Sequence, residues 1–204
     1  MVAVINYGLG NVSSILNMLK KIGAKDVVLV QDPSEIKFAD KLILPGVGAF
    51  DTGMKLLKQS GLVDAINIHT LENKKPILGI CLGMQMLGCS SEEGKESGLG
   101  YLDFVSKKFD LKNSMLKVPH MGWDYVSVEK EKDPIVSEGM SSMKFYFVHS
   151  YHAVCKNAED VLMYCNYGYP FAAAVSRGSI YGVQFHPEKS HKYGMQLLSN
   201  FVKV

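Results

Sequence analysis

Two short stretches of this sequence set reactive side chains where chemistry can be done. Gly79-Ile80-Cys81-Leu82-Gly83 places a cysteine between small residues two positions to either side. That is the cysteine form of a nucleophile elbow, in which a strand turns sharply into a helix. A side chain at either flanking glycine would collide with neighbouring backbone. The turn leaves the sulfur exposed at the strand's end, where the new helix's free N–H groups and positive dipole end favour thiolate over thiol. A thiolate so placed suits covalent acyl transfer. The plainer reading is a buried, inert cysteine, because Cys is among the most buried residue types. Cys89, Cys155 and Cys165 have no comparable setting and take that plainer reading.

Thiol chemistry also needs a base to carry the proton and a third group to hold the base's tautomer. Gln184-Phe185-His186-Pro187-Glu188 offers both. His186 and Glu188, two apart in a segment expected to be extended and stiffened by Pro187, project to the same side. Alone, His-x-Glu near a strand end is more often surface; beside the elbow it reads as base and orienter. Acyl transfer further requires donors aimed at the developing oxyanion. The N–H of Leu82 is one. Pro45-Gly46-Val47-Gly48 offers a second at Val47 or Gly48, because its glycines allow a peptide N–H to turn inward. A plain strand-to-helix turn would use the same residues.

The elements that must position these groups can be read from periodicity. Val2–Asn6 reads as a strand, followed by helical spacing of Val12, Ile15, Leu16, Leu19 and Ile22 up to Gly23. Asp26–Val30, Lys41–Leu44 and Ile77–Ile80 read as further strands, with helices from Asp51, through Leu62–Leu71 and over Met84–Leu87. Strands alternating with helices predict an α/β fold, a three-layer sandwich around a mostly parallel central sheet. From about Leu99 to Val175 the runs become shorter and more aromatic, which predicts a smaller β-rich extension. Ile180–Phe185 returns as a strand and His191–Val204 closes as a helix. With no repeat or low-complexity linker, residues 1–204 are expected to form a single domain.

Bulk properties narrow the function. The 204 residues are 47% hydrophobic and 21% charged, with a formal net charge of +2. The lysine doublets are isolated, so nucleic acid is not an expected partner. No apolar run reaches the length of a membrane helix, and no basic flank marks a signal peptide. The four cysteines form no C-x-x-C pair, so neither a zinc site nor any other metal or cofactor is expected. Reduced thiols in a cytoplasm follow.

In order, P-G-V-G, G-I-C-L-G-M-Q and Q-F-H-P-E-K-S resemble the class I glutamine amidotransferases, whose triad is Cys–His–Glu. The likeness narrows with Tyr7-Gly8-x-Gly10-Asn11, Pro119-His120-Met121-Gly122-Trp123 and Phe147-Val148-His149-Ser150-Tyr151. These are similar to the HisH family, the glutaminase subunits of imidazole glycerol phosphate synthase, from the first strand to the last helix. The resemblance implies hydrolysis of L-glutamine to glutamate and ammonia by Cys81, His186 and Glu188. It implies a heterodimer with a HisF-like (β/α)₈-barrel synthase, which receives the ammonia through a channel and forms imidazole glycerol phosphate in histidine biosynthesis. By position, Gly46, Gln85, Ser150 and Tyr151 would hold glutamine, and Asn11, Met121, Trp123 and Lys189 would face the partner.

Two positions depart from that family: Asp124 stands where Asn is usual, and His152 where Tyr is usual. Both are expected near the interface, and HisH-like paralogues exist that look built to feed sugar-amidating synthases. That partner is one alternative. A free-standing γ-glutamyl or peptide cysteine hydrolase is another. Gly8-x-Gly10-x-x-Ser13 with Asp32 beyond it is an imperfect dinucleotide fingerprint, a weaker reading. A non-catalytic interaction protein would not need an intact triad.

Overall fold

The computed structural model describes residues 1–112 and 115–204. The first half runs β1 (Val2–Ile5), α1 (Val12–Lys21), β2 (Val27–Val30), α2 (Pro33–Ile36), β3 (Lys41–Gly46), α3 (Phe50–Gln59), α4 (Leu62–Asn67), β4 (Ile77–Cys81) and α5 (Leu82–Leu87). The second half runs β5 (Ser90–Ser91), β6 (Phe104–Lys108), β7 (His120–Val128), β8 (Lys144–His149), β9 (Tyr151–Cys155), β10 (Val161–Asn166), β11 (Pro170–Arg177), β12 (Ile180–Val183) and α6 (His191–Lys203).

β2-β1-β3-β4-β12 lie side by side and parallel. From β12 the sheet continues antiparallel through β11, β10, β7 and β8, while β9 and β6 branch from β11. The parallel sheet and the later β-rich extension are thus both as the periodicity predicts. The register brings three strand ends together: Gly46 of β3 opposes Cys81, and Val183 of β12 opposes Ile80. Loops leaving the carboxyl ends of β3, β4 and β12 therefore converge on one edge, where open α/β sheets place their sites.

Side-chain alternation builds two cores. Val2 and Val4 face Ile15 and Leu19 of α1 and Leu197, Leu198 and Phe201 of α6. Ala3 and Ile5 face the other way, toward Phe50, Met54 and Leu57 of α3 and Leu62 and Ile66 of α4. Fully burying one such aliphatic or aromatic side chain contributes about 1.5–3 kcal/mol. Helices this short are held by these faces, not by intrinsic propensity.

Three local expectations change. The stretch read as one helix over Leu62–Leu71 divides: α4 ends at Asn67 and a π-helical turn covers Ile68–Glu72. The elbow helix starts directly at Leu82, ahead of Met84. Asp32, a candidate ribose-binding carboxylate, is instead the N-cap of α2. Its Oδ1 accepts from the N–H of Ser34 at 2.8 Å in a capping box with Glu35, which uses the carboxylate for capping. No helix among the described residues is long and apolar enough to cross a membrane.

Candidate active site

The elbow is built by close contact. Cys81 sits at φ +55°, ψ −111° between β4 and α5, a region that L side chains occupy only under strain. Its flanking glycines explain how the turn holds. A Cβ on Gly83 would lie 1.9 Å from the carbonyl oxygen of Leu44, and one on Gly79 would lie 2.7 Å from the Gly83 backbone. The small residues expected from the motif are therefore required by backbone packed on backbone. Cys81 itself is buried, with 7% of its surface exposed.

His186 follows β12 with an extended backbone, but Pro187–Lys189 forms a 3₁₀ turn. The expected extended His-Pro-Glu segment is thus corrected to a tight turn, which folds Glu188 back beneath the ring. His186 Nδ1 meets Glu188 Oε1 at 2.7 Å, and both side chains are almost wholly buried. Asn11 Nδ2 donates to the same carboxylate oxygen at 3.4 Å. The turn is pinned from outside: the His186 N–H donates to Tyr146 O, and the Ser190 hydroxyl donates to His186 O at 2.6 Å. Burial works against a charged His186 ring. Interaction with the Cys81 sulfur and the Glu188 carboxylate outweighs that and raises it to about 9. Nε2, the nitrogen not engaged by Glu188, is buried without a hydrogen-bond partner among the described residues. A base shaped to exchange a proton with the sulfur would have this arrangement.

A cavity of about 590 Å³ opens over this pair, lined among others by Val47, Gly48, Leu82, Gln85, Glu93, Ser150 and Tyr151. The first loop braces it. Tyr7 Oη donates to Pro45 O at 2.9 Å, and Gly10 lies so close that a Cβ there would be 2.8 Å from the Pro45 ring. Gly46 does not line the cavity; it packs against Gly83 and Tyr7. Asn11 and Lys189, expected on the partner side, both line it. Glu93 was not anticipated. It is a carboxylate on the cavity wall whose Oε2 also accepts from the Phe50 N–H at 2.8 Å, and nothing in its run of polar neighbours marks it.

Residues 3–204 match the family profile described as glutamine amidotransferase class I. The chain belongs to the class I glutamine amidotransferases. Among curated relatives, the protein "Imidazole glycerol phosphate synthase subunit HisH 2" of Pseudomonas aeruginosa is 53% identical over 204 residues, covering 100% of both chains. A protein of the same name from Methanococcus maripaludis is 51% identical, covering 100% of this chain and 99% of its own. The subunit HisH of Leptospira interrogans is 41% identical with 100% of both covered. Of solved structures, "PurLQS from Thermotoga maritima" superposes with a TM-score of 0.75 at 18% identity, covering 99% of this chain and 97% of that one. A "glutamine amidotransferase" gives 0.73 at 21%, covering 100% and 98%. At such identities these structures speak for the fold.

In this amidotransferase, β7 carries an exposed apolar row. Met121 is 62%, Trp123 39% and Tyr125 58% exposed, and Trp123 stacks on His191 with centroids 5.4 Å apart. The two unusual residues behave differently from that row. Asp124 Oδ2 meets His120 Nε2 at 2.7 Å. His152, expected near the interface, is buried, with Nε2 3.0 Å from the Tyr169 hydroxyl and its ring against Phe109.

Proposed function

We propose that this chain is the glutaminase subunit of an imidazole glycerol phosphate synthase, using Cys81, His186 and Glu188 to release ammonia from L-glutamine. The observation that carries the reading is the strained Cys81 at an elbow beside the buried 2.7 Å His186–Glu188 pair, on the wall of a cavity sized for an amino acid. His186 Nε2 takes the Sγ proton, and the thiolate attacks the side-chain amide carbon of glutamine. The N–H of Leu82 and a peptide N–H at Val47 or Gly48 receive the oxyanion. Collapse of the tetrahedral adduct breaks the C–N bond, and His186 returns its proton to the departing ammonia. A γ-glutamyl thioester is left on Cys81. Water, deprotonated by His186, then attacks the thioester, and glutamate leaves as the thiolate is regenerated. Glu188 holds the ring's tautomer throughout. Gln85, Glu93, Ser150 and Tyr151 hold the substrate, with Glu93 supplying a carboxylate for its α-ammonium group.

Ammonia passes to a HisF-like (β/α)₈-barrel synthase docked over Met121 and Trp123, whose exposure supports a covered face. The four unbridged cysteines suit a cytoplasmic setting. Idle hydrolysis would waste glutamine, so the partner switches turnover on by turning a peptide N–H of Val47–Gly48 into the oxyanion hole. Gly48, at φ +102°, has the backbone latitude for such a change. One oxyanion donor is worth about 10²–10³ in kcat, so glutaminase turnover should rise at least about tenfold when the barrel synthase and its acceptor are added. Equal rates with and without the synthase would overturn the channelling reading in favour of a free-standing hydrolase. Activation only by a sugar-amidating synthase would change the acceptor and leave the chemistry at Cys81 as described.

A further inference from the structure

Gln184 precedes the base by two residues and is wholly buried. Its N–H is tied to Ala173 O at 2.8 Å, which fixes its backbone against β11. The side-chain amide lies between two groups. Oε1 is 3.0 Å from Gln85 Nε2, and Nε2 is 3.7 Å from Cys81 Sγ. Which end of an amide is nitrogen must be read from its partners, and here the partners decide it. Gln85 Nε2 also lies 3.2 Å from Tyr151 O. A backbone carbonyl only accepts, so this end of Gln85 is the amino end. Its second hydrogen needs an acceptor, which makes the near atom of Gln184 the oxygen. The nitrogen of Gln184 is thereby directed at the sulfur.

The line continues outward. His149 Nδ1 is 2.8 Å from the same Tyr151 carbonyl and must donate to it. His149 Nε2 lies 3.1 Å from His120 Nδ1, and His120 Nε2 lies 2.7 Å from Asp124 Oδ2. Burial holds the His149 ring well below its ordinary value, at about 3, so its Nε2 is an acceptor and His120 Nδ1 is the donor. His120 and Asp124 form the outer end of the line, with the His120 ring buried and Asp124 partly exposed. From the Tyr151 carbonyl inward to Cys81, every direction of donation is determined.

We propose that Gln184 is a catalytic residue whose side-chain amide donates a hydrogen bond to the Cys81 sulfur, with Gln85 and the Tyr151 carbonyl as the positioning groups that fix its direction. The proposal rests on the reading of Cys81 as nucleophile. A donor already aimed at the sulfur favours the thiolate formed when His186 takes the proton, and costs no reorganisation when charge appears there. The contact acts twice. It stabilises the attacking thiolate, and it stabilises the same thiolate as leaving group when water breaks the C–S bond of the thioester.

The test is the rate at which iodoacetamide alkylates Cys81 in the full chain at neutral pH, read by mass spectrometry. Gln184→Met keeps the length and removes the donor. A hydrogen bond to a charged group predicts a fall in rate of roughly tenfold to a hundredfold. Alkylation of a folded Gln184→Met chain at the parental rate would overturn the proposal. If Gln184→Met does not fold, the side-chain amide protons of Gln184 can be followed by NMR in the parent and in Cys81→Ala. Resonances that move with loss of the sulfur support the contact, and resonances that stay overturn it. Parent protein that keeps its glutaminase activity after Cys81 is alkylated would instead overturn the nucleophile reading itself.

Discussion

Holding Cys81 at φ +55° costs on the order of 1–3 kcal/mol, a strain that persists only where surrounding packing enforces it. The return is a sulfur presented to His186 and to the cavity together. The roles proposed for His186 and Glu188 make unequal demands. His186→Ala removes the proton carrier of both half-reactions and should lower glutaminase kcat by about 10⁵–10⁶, whereas Glu188→Ala removes only orientation and should cost about 10³–10⁴. Steady-state kinetics of both variants with one partner checks the order. A dead Glu188→Ala beside an active His186→Ala would reverse the assignment. The proposed triad can be read from the sequence because each member sits in a short motif whose local geometry is nearly self-sufficient. Gln184 and Glu93 cannot be read that way. Their significance arises from contacts with Cys81 across 103 positions and with Phe50 across 43, and neither neighbour is visible from the local run.

At the scale of elements, the elbow works because β3, β4 and α5 approach at backbone distance. A methyl group at Gly83 has no room beside the Leu44 carbonyl, 1.9 Å from where its carbon would lie, and strand and helix would have to separate. Gly83→Ala should therefore destabilise the fold by about 1–3 kcal/mol or more, as overpacking does, and should lower turnover as the sulfur shifts. Urea unfolding with glutaminase assays measures both, and a chain with parental midpoint and activity would contradict the close-packed elbow. The parallel strands were readable from their β-branched runs and bounding glycines. What escaped reading was local competition. Asp32 caps a one-turn helix that had no periodicity to announce it. The Leu62–Leu71 pattern hides the point where α-helical bonding gives way to a π turn. Pro187 bends the His-Pro-Glu segment into a turn that an extended reading cannot produce.

At the scale of the molecule, one sheet carries two tasks. Its parallel part gathers the ends of β3, β4 and β12 into the edge that carries the candidate site. Its antiparallel part supplies Ser150 and Tyr151 to the cavity and presents Met121, Trp123 and Tyr125 to solvent. The chain Asp124–His120–His149–Tyr151–Gln85–Gln184 links those regions by hydrogen bonds. This division implies that making ammonia and using it are separable. In the proposed function Cys81 belongs wholly to the first task, because it carries the thioester. The decisive measurement is synthase turnover of the Cys81→Ala chain in complex with the proposed barrel partner, supplied in parallel with glutamine and with free ammonium. The account predicts that turnover on glutamine is lost while turnover on ammonium stays at the parental rate. Appreciable turnover on glutamine by this variant would contradict it.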